Sequence, residues 1–251
     1  MRINTENTMQ ISAPFAYHDV VPVLKSHRIK RDGVAPATLR QTHAVPITFA
    51  EMPLAARDYP IIFIKPGDGA QLRAVALVGL TPGENLFIDA DGRWRDDVYR
   101  PAYLRRYPFC MAGVRRDGEL SGERIICVES AAIDAEHGEP VADANGESLP
   151  WWQQMTHFLT EFEADLLRTE KVCDVIEKNA LLEPFSAQAV SKSAETLNLS
   201  GMYRISETFL GRLKADTLRM LINKGVMSRI YAHMMSLDRF SRLLDLHAAR
   251  R

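Results

Sequence analysis

Cysteine is scarce in this chain. Cys110, Cys127 and Cys173 are the only three in 251 residues; they form no CxxC pair, and an odd number cannot complete a set of disulfides. A disulfide-stapled scaffold is therefore excluded. Cys110 and Cys127 each lie in an apolar run and read as small core residues of a protein in a reducing compartment. Long apolar runs are missing too. The longest are strand-sized, well short of the roughly 20 residues of a membrane span. The opening stretch "MRINTENTMQISAPFAYHDV" has no apolar core of signal-peptide length. The expected location is the cytoplasm, or outside it by a signal-independent route. Net charge is nearly absent: 31 Lys and Arg against 32 Asp and Glu leave −1, so no overall field draws the molecule to nucleic acid.

Signatures of catalysis and metal binding are also lacking. The seven histidines make no HxH, HxxE or HExxH pattern. Ser121 and Ser200 precede glycines, but neither lies in GxSxG. "PGDGA" is too short and too acidic to cradle a phosphate. "DADGRWRDD" has acids at alternate positions, as a calcium loop does, but with Gly92 as the loop glycine the first and last ligand positions fall on Phe87 and Val98. The segment reads as a hairpin turn. No metal and no cofactor are expected, and His233, on an apolar helical stripe, reads as a hydrogen-bonded core histidine.

What is present is enough apolar residue, 46% against 25% charged, to bury a core without staples. Residues 1–42 are polar and irregular and read as an extended arm, and 43–251 as one domain. "VPIT", "YPIIFIK", "LRAVALVGL" and "NLFIDADGRW" read as strands, with a short helix over Ala50–Arg57. "FCMAGVRRDGELSGERIICVE" reads as a hairpin, and short turns between strands imply an antiparallel sheet. Pro150 opens a long helix whose Phe158, Leu159, Phe162, Cys173 and Ile176 recur at helical spacing. "AVSKSAETLNLSGMYRIS" reads as a second hairpin. Ser206 and Asp216 stand where helix caps belong, and a last helix carries Ile230, Met234, Leu237, Phe240 and Leu244 on one stripe. The fold class is α+β: an antiparallel sheet in the first half, packed against a long helix and a C-terminal helical segment. Charge is uneven, with nine acids and no Lys or Arg between Ile125 and Leu167, and ten bases against four acids from Gly201 on. Such asymmetry docks parts of a fold or guides a partner.

The densest cluster of functional residue types is "RPAYLRRYPF", residues 100–109. A helix from Pro101 puts Tyr103 and Tyr107 on one face and Arg105 and Arg106 on others, with Arg100 ahead of it. Single-strand nucleic-acid binding wants aromatics and cations on one surface, and Asp96 and Asp97 oppose the field it needs. The tyrosines therefore read as structural, and Arg100, Arg105 and Arg106 as available to carboxylates or to an anionic ligand. Trp94 and Trp152 complete the candidate binding set. In the pair Trp151–Trp152 the side chains point about 100° apart, so only one faces the core squarely; both are expected to pack under the acidic loop of residues 136–150, the alternative being that one lies on the surface and stacks on a sugar or partner.

The segments "VPITFAEMPLAARDYPIIFIK", "ALVGLTPGENLFIDADGRW", "RPAYLRRYPF" and "IYAHMMSLDRF" together resemble the SapC family of bacterial proteins, in order and spacing, from about His43 to Leu244. The resemblance implies a context rather than a mechanism. The family takes its name from a surface-layer gene cluster, and its members lie near outer-membrane receptors, flavin-dependent halogenases and cupin-like oxygenases. A permease label used for some members does not fit a chain without a membrane span. The resemblance implies no active-site residue. The expected function is that of a non-enzymatic accessory or binding protein of cell-surface, S-layer or nutrient-uptake systems, with an unknown protein partner or a small anionic ligand. The alternative is an enzyme acting on a small anionic or peptide substrate near residues 100–109.

Overall fold

The computed structural model describes residues 10–67, 69–116, 119–190 and 196–250. In chain order its strands are β1 (Gln10–Ser12), β2 (Val20–Pro22), β3 (Arg28–Ile29), β4 (Ala44–Pro46), β5 (Ile61–Ile64), β6 (Arg73–Leu77), β7 (Phe109–Arg116), β8 (Glu119–Glu129), β9 (Glu139–Pro140), β10 (Leu182–Val190) and β11 (Thr196–Ile205). Its helices are α1 (Ala37–Arg40), α2 (Met52–Ala55), α3 (Ala102–Arg105), α4 (Pro150–Lys178), α5 (Glu207–Gly211), α6 (Ala215–Asn223), α7 (Val226–Ser236) and α8 (Phe240–Arg250). The protein is α+β, with antiparallel sheets, a long helix and a helical C-terminal segment. The chain forms two compact units. One gathers the described residues up to Val34 with Arg106–Glu163, and the other gathers Ala35–Arg105 with the residues from Ala164 on. The sequence places a boundary at 42/43; compactness places boundaries at 34/35, 105/106 and 163/164.

In the first unit the hairpin β7–β8 is the middle of a four-stranded sheet, in the order β1-β7-β8-β2. The outer strands come from residues 10–22, which the sequence shows only as polar, irregular chain. Two ties hold that segment. The Tyr17 hydroxyl donates to the Phe109 carbonyl at 2.6 Å, and the buried Glu129 carboxylate accepts the amides of His18 and Asp19. Ile29, Phe109, Val128, Val141 and Leu159 meet in one core, so the start of α4 packs on the hairpin. Residues 143–147 close a turn: the Asp143 amide donates to the Glu147 carbonyl, and Gly146 takes φ +80°.

In the second unit the sheet order is β10-β11-β5-β6-β4. Ile61, Ile62 and Phe63 are all buried, because both faces of β5 are covered, and this explains its unbroken apolar run. The later part of α4 buries Cys173 and Ile176, and Thr169 accepts the Phe49 amide at 2.7 Å.

Three local expectations are corrected. "NLFIDADGRW" makes its turn, with Gly92 at φ +80°, but only an isolated Ile88–Trp94 bridge in place of a strand. The Asn85 and Asp89 side chains take the amides of Phe87 and Arg93 and so compete with a ladder. Asp216 lies inside the first turn of α6, whose N-cap is Lys214; there its charge opposes the helix dipole's positive end. The expected single last helix is two, α7 and α8, joined by a 3-10 turn at Leu237–Arg239. At this junction the Ser236 hydroxyl donates back to the His233 carbonyl at 2.5 Å. The tips of both hairpins, at 117–118 and 191–195, lie outside the described residues.

Candidate functional site

The signature segment of residues 99–105 is organised by an acid that sequence reading passed over. Glu51 is buried, and its carboxylate accepts four hydrogen bonds. One oxygen takes the amide and hydroxyl of Thr48, both at 2.9 Å. The other takes the Tyr99 hydroxyl at 2.8 Å and the Ala102 amide at 2.5 Å, an otherwise orphaned donor at the start of α3. The Thr48-x-x-Glu51 spacing was the available signal, since it is that of a capping box. From Tyr99 the network continues: its amide donates to Asp58, whose carboxylate pairs with Arg242 at 3.0 Å. Burial, with the Glu51 charge beside it, holds the Tyr99 phenol well above the ordinary tyrosine range.

The three arginines have three fates. Arg105 is exposed, with its guanidinium 5.8 Å from the centre of the Tyr99 ring. Arg100 is half-buried. Its Nη2 reaches the Leu104 carbonyl at 3.4 Å, and no carboxylate lies within ion-pair distance of it among the described residues. Burial first, and then the nearby Arg105 charge, lowers its pKa. Arg106 corrects the expectation of an accessible cation. It is only 1% exposed, in the first unit, beside the buried Glu163 at 3.7 Å and against the rings of Tyr17 and Phe162. Arg124 closes on the same carboxylate from the solvent side. Tyr103 is buried as expected and Tyr107 half-buried; burial pushes the Tyr107 phenol up to about 12.

The aromatic candidates are structural. Trp94 is buried and stacks on Phe87 in the second unit. Trp152 is half-buried with its ring 5.1 Å from that of Phe109, and Trp151 donates its indole N–H to the Pro140 carbonyl at 2.9 Å. Both pack against the core that includes Val141 and Ala142 of the acidic loop 136–150. His233 is a fully buried, doubly hydrogen-bonded core residue, as its place on an apolar stripe implied. Among the described residues no three His, Cys, Asp or Glu side chains are grouped to hold a metal ion, and no helix is long and apolar enough to cross a membrane.

The fold and this site define an α+β protein whose most distinctive segment combines an internal carboxylate hub with a surface cation pair. The family model described as SapC matches residues 25–243, and the chain belongs to the SapC family. No curated protein and no solved structure matches it. The matched region starts before the resemblance at His43 and takes in β3, so it covers parts of both units.

Proposed function

We propose that the protein is a non-enzymatic accessory or binding protein serving bacterial cell-surface, S-layer or nutrient-uptake systems, and that Arg100 and Arg105 receive an anionic group of its partner or ligand. One observation carries this reading: the signature's arginines divide into an internal one, Arg106 on Glu163, and a surface pair in which Arg105 lies on Tyr99 beside Arg100. Two cations side by side, one of them without a carboxylate in reach among the described residues, favour an incoming carboxylate or phosphate. An enzyme working here would need a proton-transfer group with spare capacity. The nearest carboxylate, Glu51, already holds four donors, and the Tyr99 phenol is held in its protonated form.

The reading includes a cytoplasmic location, supported by three buried free thiols. The test is affinity capture from the native bacterium with the wild-type chain and with Arg105→Glu, followed by mass spectrometry. A surface or uptake component held by the wild type and released by the variant is the expected result. Equal retention by both, or turnover of a small substrate that Arg105→Glu abolishes, sinks the proposal.

A further inference from the structure

A separate cleft of about 260 Å³ opens on the sheet of the second unit. Its floor is one sheet face. Ile62, Ile64, Leu77 and Met202 point the same way, as the register pairs Met202 with Ile64 and Ala44 with Leu77. Ile62, Leu77 and Met202 are at most 5% exposed, so the floor is dry core. One wall is the stretch Asn198–Ser200, where β11 runs past the end of its pairing with β5 and turns at Gly201, φ +76°. The other wall is His43 with Leu80 and Pro82.

That second wall is held firmly. A Cβ on Gly79 would lie 2.2 Å from the Glu84 carbonyl oxygen, so only glycine lets the chain close there. The Glu84 carboxylate takes the Leu80 amide at 3.0 Å and meets His247 of α8 at 2.7 Å. Arg250 of α8 donates to the Asn85 carbonyl at 2.5 Å.

The chemistry of the lining is selective. Among the described residues, no Asp, Glu, Lys or Arg lines the cleft. The polar members are the His43 imidazole, the Asn198 amide and the Ser200 hydroxyl, and none of these side chains has a hydrogen-bond partner among the described residues. Burial lowers the pKa of His43, which keeps its ring neutral and able both to donate and to accept. A charged ligand would lose its hydration here and find no counter-charge. An engineered cavity of about 150 Å³ admits benzene, so the volume suits roughly two fused rings.

We propose that this cleft binds a small uncharged molecule about the size of a bicyclic ring system, with an apolar face against Ile62, Leu77 and Met202 and a hydroxyl or N–H group at His43, Asn198 and Ser200. The site is independent of the arginine pair, so either reading can fail alone.

The probes are 2-naphthol, naphthalene and naphthalene-2-sulfonate, added to the full-length protein and followed by amide NMR and calorimetry. The expected result is one 2-naphthol site that shifts Ala44, Leu77 and Met202, with binding at least about tenfold tighter than that of the sulfonate. Ala44→Phe fills the floor, and Ser200→Trp blocks the exposed rim; whichever variant folds loses 2-naphthol binding by about tenfold or more. His43→Leu narrows the preference for 2-naphthol over naphthalene. Equal or tighter sulfonate binding, shifts that map elsewhere, or no binding by the wild type at millimolar probe overturns the proposal.

Discussion

Ile61 and Ile205 lie opposite each other in the register that pairs β5 with β11, yet their backbone groups do not meet. The imidazole of His233 stands between them, with Nε2 accepting the Ile205 amide at 3.1 Å and Nδ1 2.8 Å from the Ile61 carbonyl. The Ile61 amide donates to Ser236 at 2.9 Å instead. A helix thus completes the sheet where the ladder stops, and the arrangement requires a neutral ring carrying its proton on Nδ1.

Acid should therefore loosen this junction. Burial, the leading cause, lowers the His233 pKa from 6.5 to about 4. The folded state excludes a proton that the unfolded chain binds. Stability is fully present above pH 6.5 and falls as pH drops from there towards 4, by about 3 kcal/mol in all. Urea unfolding from pH 7.5 to 4 should show this slope, and His233→Gln, which cannot titrate, should flatten it. An unchanged slope in the variant would mean that other groups carry the acid sensitivity.

Glu51 is the second point of weakness. Its four donors need an acceptor on both oxygens. Glu51→Gln keeps the shape but turns an NH2 towards two of those donors, which should cost about 2 kcal/mol or more. Thr48→Val removes one hydroxyl donor and should cost about 1 kcal/mol. Melting temperatures of the two variants check the order; a tolerated Glu51→Gln would show that the hub is not the tie proposed here.

Much of the second unit was legible in the sequence because its signals are local. The apolar runs at 61–64 and 74–78, the proline that opens α4 and the glycine turns fix elements within a few residues of themselves. What was not legible depends on partners distant in sequence. Residues 10–34 look irregular because their strands are two or three residues long and take their register from β7, β8 and β9. Arg106 reads as surface because helical spacing says nothing of Glu163, 57 residues on, which neutralises it. The cleft was invisible because its walls come from His43, the 80–82 loop and β11, which no sequence window brings together.

The three thiols should be inert in the native state. Burial pushes Cys110 and Cys173 up to about 12 and Cys127 to about 11, so the reactive thiolate is nearly absent at pH 8. Cys110 and Cys127 are directly opposite each other in β7 and β8, shielded by the core of that sheet. Titration with a disulfide reagent should find almost no thiol before denaturant is added and all three after it. A rapidly reacting native thiol would mean that one of these sites opens far more easily than its burial implies.

The two neighbouring arginines of the signature, Arg105 and Arg106, should differ in what their removal costs. Arg105 is exposed, and its contact with Tyr99 is solvated, so Arg105→Ala should cost about 1 kcal/mol or less. Arg106 is enclosed by Tyr17, Phe162 and Glu163. Arg106→Ala opens a cavity and strips a buried carboxylate of its inner cation, Arg124 approaching it from the solvent side; the expected loss is about 3–5 kcal/mol. Arg106→Met restores most of the volume but not the charge, and should remain clearly destabilised. Arg106→Met with Glu163→Leu removes both charges together and should recover part of the loss, because replacing a whole buried pair costs less than breaking it. Urea unfolding of the four proteins gives the comparison. If Arg105→Ala is the damaging change and Arg106→Ala is neutral, the assignment of Arg106 to the core is wrong and the surface pair proposed for binding must be redrawn.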